Sequence, residues 1–228
     1  GAIVRGDTSQ KQLALVFTGD EFADGGETIR ATLQEHKVPG SFFLTGKFYR
    51  NPDFQPLVQA LKADGHYLGP HSDQHLLYAP WDNRNALLVS EADYKRDLAA
   101  NYAIMAELGI GRDSARYFLP PYEWYNSQIA EWTREMGLTL VNYSAGTLSH
   151  ADYTIPSMEN GYRSSAEILA SILDYEGNAD TGLNGFILLS HIGTHPERTD
   201  KFYEQLDRLI PTLQEKGYML VRIDALLN

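Results

Sequence analysis

Two adjacent carboxylates, Asp20 and Glu21, follow the apolar run "LALVF" in the stretch "FTGDEFADGG". Neighbouring acids at the end of a buried strand repel each other and lose hydration, and a bound cation relieves both costs. A second cluster, "GPHSDQH", places His71 and His75 four residues apart. On a helical turn such a pair lies on one side and can hold one ion through imidazole nitrogens, which suit zinc and its neighbours. Each cluster also has a bland reading: solvated acids in one loop, exposed histidines in another.

Three further features follow apolar runs. Pro120 and Pro121 open "PPYEWYN". They make either a rigid turn alone, the commoner case, or a stiff loop that presents a backbone N–H toward developing negative charge. His191 closes "ILLSH" and, taken alone, reads as a core histidine bonded to a carbonyl. Trp81 and Trp124 lie in aromatic loops, suited to stacking on sugar rings or to loop packing. His36 and His66 carry no role, and His150 and His195 are left unassigned.

Any metal here must be held by histidine and carboxylate, because the 228 residues include no cysteine. Disulfides are excluded on the same ground. A formal charge of −11, from 19 basic and 30 acidic residues, argues against nucleic acid and anionic membrane surfaces as partners. No apolar run approaches the roughly 20 residues of a membrane span. The chain starts with Gly rather than Met and shows no signal peptide. The expectation is a single domain over 1–228, one module of a longer protein that carries other carbohydrate-active modules.

Strand-like runs at 13–17, 41–45, 66–69, 116–119, 138–142, 185–190 and 218–223 alternate with helical stretches at 27–37, 52–64, 90–109, 126–137, 164–177 and 199–217. Asn51 reads as the cap and Pro52 as the first turn of the second helix, Ser90 and Asn126 as later caps, and Pro211 as a kink site. Strands interleaved with helices point to parallel βαβ units. An open doubly wound sheet and a closed, irregular barrel both fit. In either, the carboxyl ends of the strands share one face, so residues spread over 170 positions converge there.

The ordered set of motifs resembles the polysaccharide deacetylases of the NodB homology type, carbohydrate esterase family 4. Thr18-Gly19-Asp20-Glu21 stands for the family's T-F-D-D. His71-Ser72-Asp73-Gln74-His75 is an intact H-[ST]-x-x-H. Leu119-Pro120-Pro121-Tyr122 stands for R-P-P-Y, and Leu188-Leu189-Ser190-His191 for L-x-x-H.

The resemblance implies a distorted (β/α) barrel of seven or eight strands and a divalent metal, zinc first with cobalt, nickel or manganese as alternatives. It implies that Glu21, His71 and His75 are the ligands, Asp20 the general base and His191 the general acid, with the Tyr122 N–H offered to the oxyanion. Pro121, Trp81 and Trp124 would border an acetylated polysaccharide or oligosaccharide, met outside the cytoplasm. The reaction implied is removal of acetyl groups from N- or O-acetylated sugar by metal-activated water.

Three departures qualify it. Glu replaces Asp at the metal position, Leu119 replaces the Arg that steadies the base, and the D-x-x-D-W motif is not recognisable in "LVNYSAGTLSHADY". Arg116 and Asp152 are the candidates for tuning the base and the acid. A carbohydrate-binding module that keeps the fold without the reaction is the alternative. An unrelated phosphoesterase is disfavoured by the few basic residues.

Overall fold

The computed structural model describes residues 1–228. Seven strands alternate with helices, the pattern expected of a distorted (β/α) barrel. The strands are β1 (Gln12–Gly19), β2 (Ser41–Leu44), β3 (Tyr67–Pro70), β4 (Tyr117–Phe118), β5 (Thr139–Leu140), β6 (Phe186–His191) and β7 (Met219–Leu220). A five-stranded sheet runs β3-β2-β1-β6, with β7 also on β1, and β4 and β5 form a separate parallel pair. β1 pairs in parallel with β6 and, through its first two residues, with β7.

The chain divides into two compact units, a first of 1–3, 43–64 and 68–142, and a second of 4–42, 65–67 and 143–228. In the second unit the run Leu13–Phe17 is buried throughout, as a strand covered on both faces must be. Phe17 stacks on Phe42 with centroids 5.0 Å apart. In the first unit Tyr94 gathers Tyr78, Trp132 and Phe118 around it at 5.2, 5.7 and 6.3 Å.

The caps behave as their residue types require. After α1 (Gly26–Glu35), α2 (Gly46–Arg50) and α3 (Gln55–Ala63), Ser90 accepts from the Asp93 N–H at the start of α4 (Glu91–Glu107), and Asn126 from the Ile129 N–H at the start of α5 (Ser127–Glu135). Ser164 and Glu167 make a capping box on a helix at Ser165–Asn178.

Three expectations are corrected. The second helix starts at Gln55 rather than 52, because Asn51 closes an unforeseen short helix, Gly46–Arg50, opened by the Thr45 cap. The stretch expected to be helical from 199 opens with a 3-10 turn, Phe202–Gln205, before the Leu206–Glu215 helix that contains Pro211. The run after 220 leaves the strand for a one-turn helix, Ile223–Leu226.

The Phe17→Ala variant leaves a cavity against Phe42 and is expected to lose about 3–5 kcal/mol of stability in a denaturant titration. A loss below about 1 kcal/mol would show that this stack does not anchor β1.

Candidate functional site

In the first unit, β3 delivers His71 into the interior, where it is only 2% exposed. Its backbone N–H donates to Asn101 Oδ1 at 3.0 Å and its ring Nδ1 lies 2.8 Å from the Leu119 carbonyl. A carbonyl can only accept, so Nδ1 carries the proton and Nε2 of the neutral ring carries the lone pair. That is the tautomer a metal-ligating or base-acting imidazole needs.

The loop after His71 is held from α4. The buried Asp97 carboxylate accepts from Ser72 Oγ at 2.7 Å, from the Asp73 N–H at 2.9 Å and from the Gln74 N–H at 3.0 Å. Arg50 grips Asp73 with two bonds of 2.7 and 2.8 Å. These contacts support left-handed backbone at Ser72 (φ 72°) and His75 (φ 58°), which is unfavourable for residues with a Cβ. The result brings the two imidazoles to 5.1 Å between centroids, tilted by 58°.

His75 meets Tyr122 at 4.4 Å. Tyr122 and Glu123 also have positive φ, 58° and 53°. The stiff Pro120-Pro121 lead-in and an Asn142 Nδ2–H bond to the Glu123 carbonyl at 2.7 Å hold that turn. Trp81 lies 5.6 Å from Tyr122 and 5.5 Å from Trp124, so the expected aromatic residues form one cluster with the histidines.

In the second unit, the β1–β6 register sets Thr18 opposite His191, with Asp20 and Glu21 just beyond on the same strand end. Asp20 is half-buried and Glu21 exposed. Asp152, 2% exposed in the 3-10 turn Ser149–Tyr153, binds His191 at two points. Its Oδ1 lies 2.6 Å from Nδ1 and its Oδ2 accepts the His191 backbone N–H at 2.8 Å. The carboxylate fixes the orientation of the ring and its tautomer. Tyr153 stands edge-on to His191 at 5.7 Å. His150 stacks on Tyr143 at 4.5 Å, and burial lowers its pKa against the opposing pull of Asp152.

The loop that carries Asp20 and Glu21 is tied to the loop after His191 through Asp24. This carboxylate accepts from the Thr194 N–H at 2.8 Å and from Tyr203 Oη at 3.0 Å, and pairs with Lys201 at 2.8 Å. Burial alone would raise its pKa, but Lys201, Thr194 and Tyr203 outweigh it and hold the group below its ordinary 3.8. Gly193 passes so close to the backbone of Phe22 and Ala23 that a Cβ has no room there.

The guanidinium of Arg116 is 67% exposed and its ion pair is with Asp113 at 3.9 Å, so its placement lends nothing to the tuning role. Leu119 has no charge to steady a base, but its carbonyl orients His71. Sequence reasoning missed Asp97, Asn101 and Asp24. Asp97 and Asn101 had a usable signal, since they fall on the buried stripe of α4 with Tyr94, Leu98 and Met105.

As a metal centre the arrangement is partial. His71 and His75 offer two donors of the kind zinc takes, but no group of three or more histidine, aspartate or glutamate side chains able to hold a metal ion is formed.

The polysaccharide deacetylase family profile matches residues 5–141, more than half of the chain. A chitooligosaccharide deacetylase from Azorhizobium caulinodans is 25% identical over 223 residues, covering 93% of each chain. The solved structure of the Bc1960 peptidoglycan N-acetylglucosamine deacetylase shares the fold with a TM-score of 0.77 at 21% identity, over 99% of this chain and 92% of that one. So does the family 4 pseudoenzyme BA3943 from Bacillus anthracis, with a TM-score of 0.75 at 17% identity, over 100% and 69%.

Asp97→Ala strands three donors and is expected to lose about 3 kcal/mol in denaturant unfolding; a neutral effect would mean the histidine loop holds itself. For Asp24→Asn the expected loss is about 1 kcal/mol, discounted for partial exposure. A depressed carboxylate contributes above its unfolded pKa and loses that contribution as pH falls through the folded one. The difference from wild type should therefore be constant near neutral pH and shrink below about pH 3.8. A difference that grows on acidification would contradict the assignment.

Proposed function

The chain belongs to the polysaccharide deacetylase family, and we propose that it hydrolyses acetyl groups from an N- or O-acetylated polysaccharide outside the cytoplasm. No helix is long and apolar enough to cross a membrane. The observation that carries the reading is the two-point clamp of Asp152 on His191, which suits a general acid.

Asp20 takes the proton of the attacking water. The backbone N–H of Tyr122, in its rigid left-handed turn, donates to the oxyanion of the tetrahedral intermediate. His191, protonated and paired with Asp152, gives a proton to the departing amine or alkoxide. Its Nδ1 stays bonded to the carboxylate, so Nε2 is the atom that transfers the proton. Pro121, Trp81 and Trp124 border the sugar chain.

His71 and His75 would hold a divalent cation, zinc first and cobalt, nickel or manganese after it, which would supply polarisation of the acetyl carbonyl and acidification of water. Glu21 as its third ligand rests on the family's pattern and not on a gathered set of donors.

A second reading, glycan binding without turnover, is favoured by Leu119 in place of Arg and by the missing three-donor group. One panel separates the two. Acetate release from chitooligosaccharide, peptidoglycan fragments and acetylated xylan is followed with each of the four metals. The deacetylase reading expects release on at least one substrate, lost with His75→Ala and reduced about a hundredfold or more by His191→Ala. Release indifferent to His191→Ala would overturn it, and binding without any release would leave the second reading.

A further inference from the structure

Beyond Trp124 the first unit carries a cleft of about 800 Å³, within the usual range for small-ligand sites. Its wall includes Arg84, Asn85, Asn126, Glu131 and Arg134. Arg134 already faces Glu131 at 3.8 Å, and the Asn126 amide is spent on the Ala86 carbonyl and the α5 cap.

Arg84 is different. Its guanidinium lies 4.3 Å over the Trp124 ring and 5.1 Å over that of Tyr125, and its Nε–H donates to the Tyr125 carbonyl at 2.5 Å. Those contacts fix the plane of the fork while engaging one of its five N–H groups. Arg84 forms no ion pair, although acids outnumber bases 30 to 19 in the chain and Asp82 is two residues away. A fixed, exposed guanidinium with unspent N–H groups matches a carboxylate better than a neutral hydroxyl.

The cleft also continues the aromatic cluster. His75, Tyr122, Trp81 and Trp124 succeed one another at 4.4, 5.6 and 5.5 Å, and Arg84 covers the ring at the end of that series. A sugar polymer stacked along the cluster would bring a more distant residue to Arg84.

We propose that this cleft is a subsite for a carboxylate-bearing sugar residue, recognised by Arg84. The substrate class is thereby an acidic glycan rather than a neutral one. The inference rests on the deacetylase reading only for why a sugar chain lies along the aromatics.

The test is a binding titration on the intact protein, without turnover. The ligands are an N-acetylglucosamine–N-acetylmuramic acid tetrasaccharide, its methyl ester, in which the lactyl carboxylates are masked, and the neutral N-acetylglucosamine tetramer. Wild type should bind the free acid about three- to fivefold tighter than the ester, as suits an exposed ion pair, and salt should erode the ratio. Arg84→Gln should bring the ratio to one and leave the ester and the neutral tetramer within about twofold of wild type, while Arg84→Lys keeps part of the preference.

Absence of preference or of free-acid binding in wild type overturns the proposal, as does an unchanged ratio in Arg84→Gln. Equal loss of all three ligands overturns it too, since that would mark Arg84 as a mere prop for Trp124. Failure of the deacetylase reading is seen separately, as carboxylate-selective binding by a protein that releases no acetate from any substrate.

Discussion

Imidazole chemistry depends on which nitrogen holds the proton, and in this protein acceptors decide it. In the first unit the Leu119 carbonyl receives Nδ1–H of His71; in the second, the Asp152 carboxylate receives Nδ1–H of His191. Both arrangements leave the lone pair of the neutral ring on Nε2. The difference between the acceptors suits the two roles proposed for these rings. A neutral carbonyl sets the tautomer without favouring a charged ring, as a ligand requires. An anionic carboxylate also stabilises imidazolium, as a proton donor requires.

The surrounding structure serves that constraint. Leu119 directly follows β4 and hands on to two prolines, which restrict how far its carbonyl can turn. Asp97 and Asn101 reach from one face of α4 to hold the backbone on either side of His71. Four residues with a Cβ, Ser72, His75, Tyr122 and Glu123, adopt positive φ in this unit around the histidines. Two further such residues, Lys37 and Glu159, lie in the second unit, so four of the six strained positions gather beside the histidines, as a pre-organised site shows. In the second unit Asp24 does for the acid-bearing loop what Asp97 does for the histidine loop, collecting several donors on one carboxylate.

Much of this architecture is legible in the sequence. The apolar runs marked all seven strands because buried parallel strands need apolar side chains on both faces. Ser90 and Asn126 marked helix starts because their short side chains compete for backbone N–H groups. The Gly46–Arg50 helix was hidden, being one turn long with no periodicity to read. Asp152 was only a candidate because its partner is 39 residues away and the sequence around it lacks the expected acid-rich pattern. Leu119 read as a lost charge, but side-chain identity does not report what a backbone carbonyl does. Asp97 was concealed by its helix, whose apolar stripe contains it.

The most direct test of the account is the protonation pattern of these two rings. Long-range proton–nitrogen NMR on nitrogen-labelled protein, at a pH where both rings are neutral, reads the tautomer of each histidine. With His71→Ala and His191→Ala for assignment, both rings should carry their proton on Nδ1. A proton on Nε2 of His71 would mean that the Leu119 carbonyl does not set its tautomer, a proton on Nε2 of His191 would mean the same of the Asp152 carboxylate, and the role built on that ring would fall.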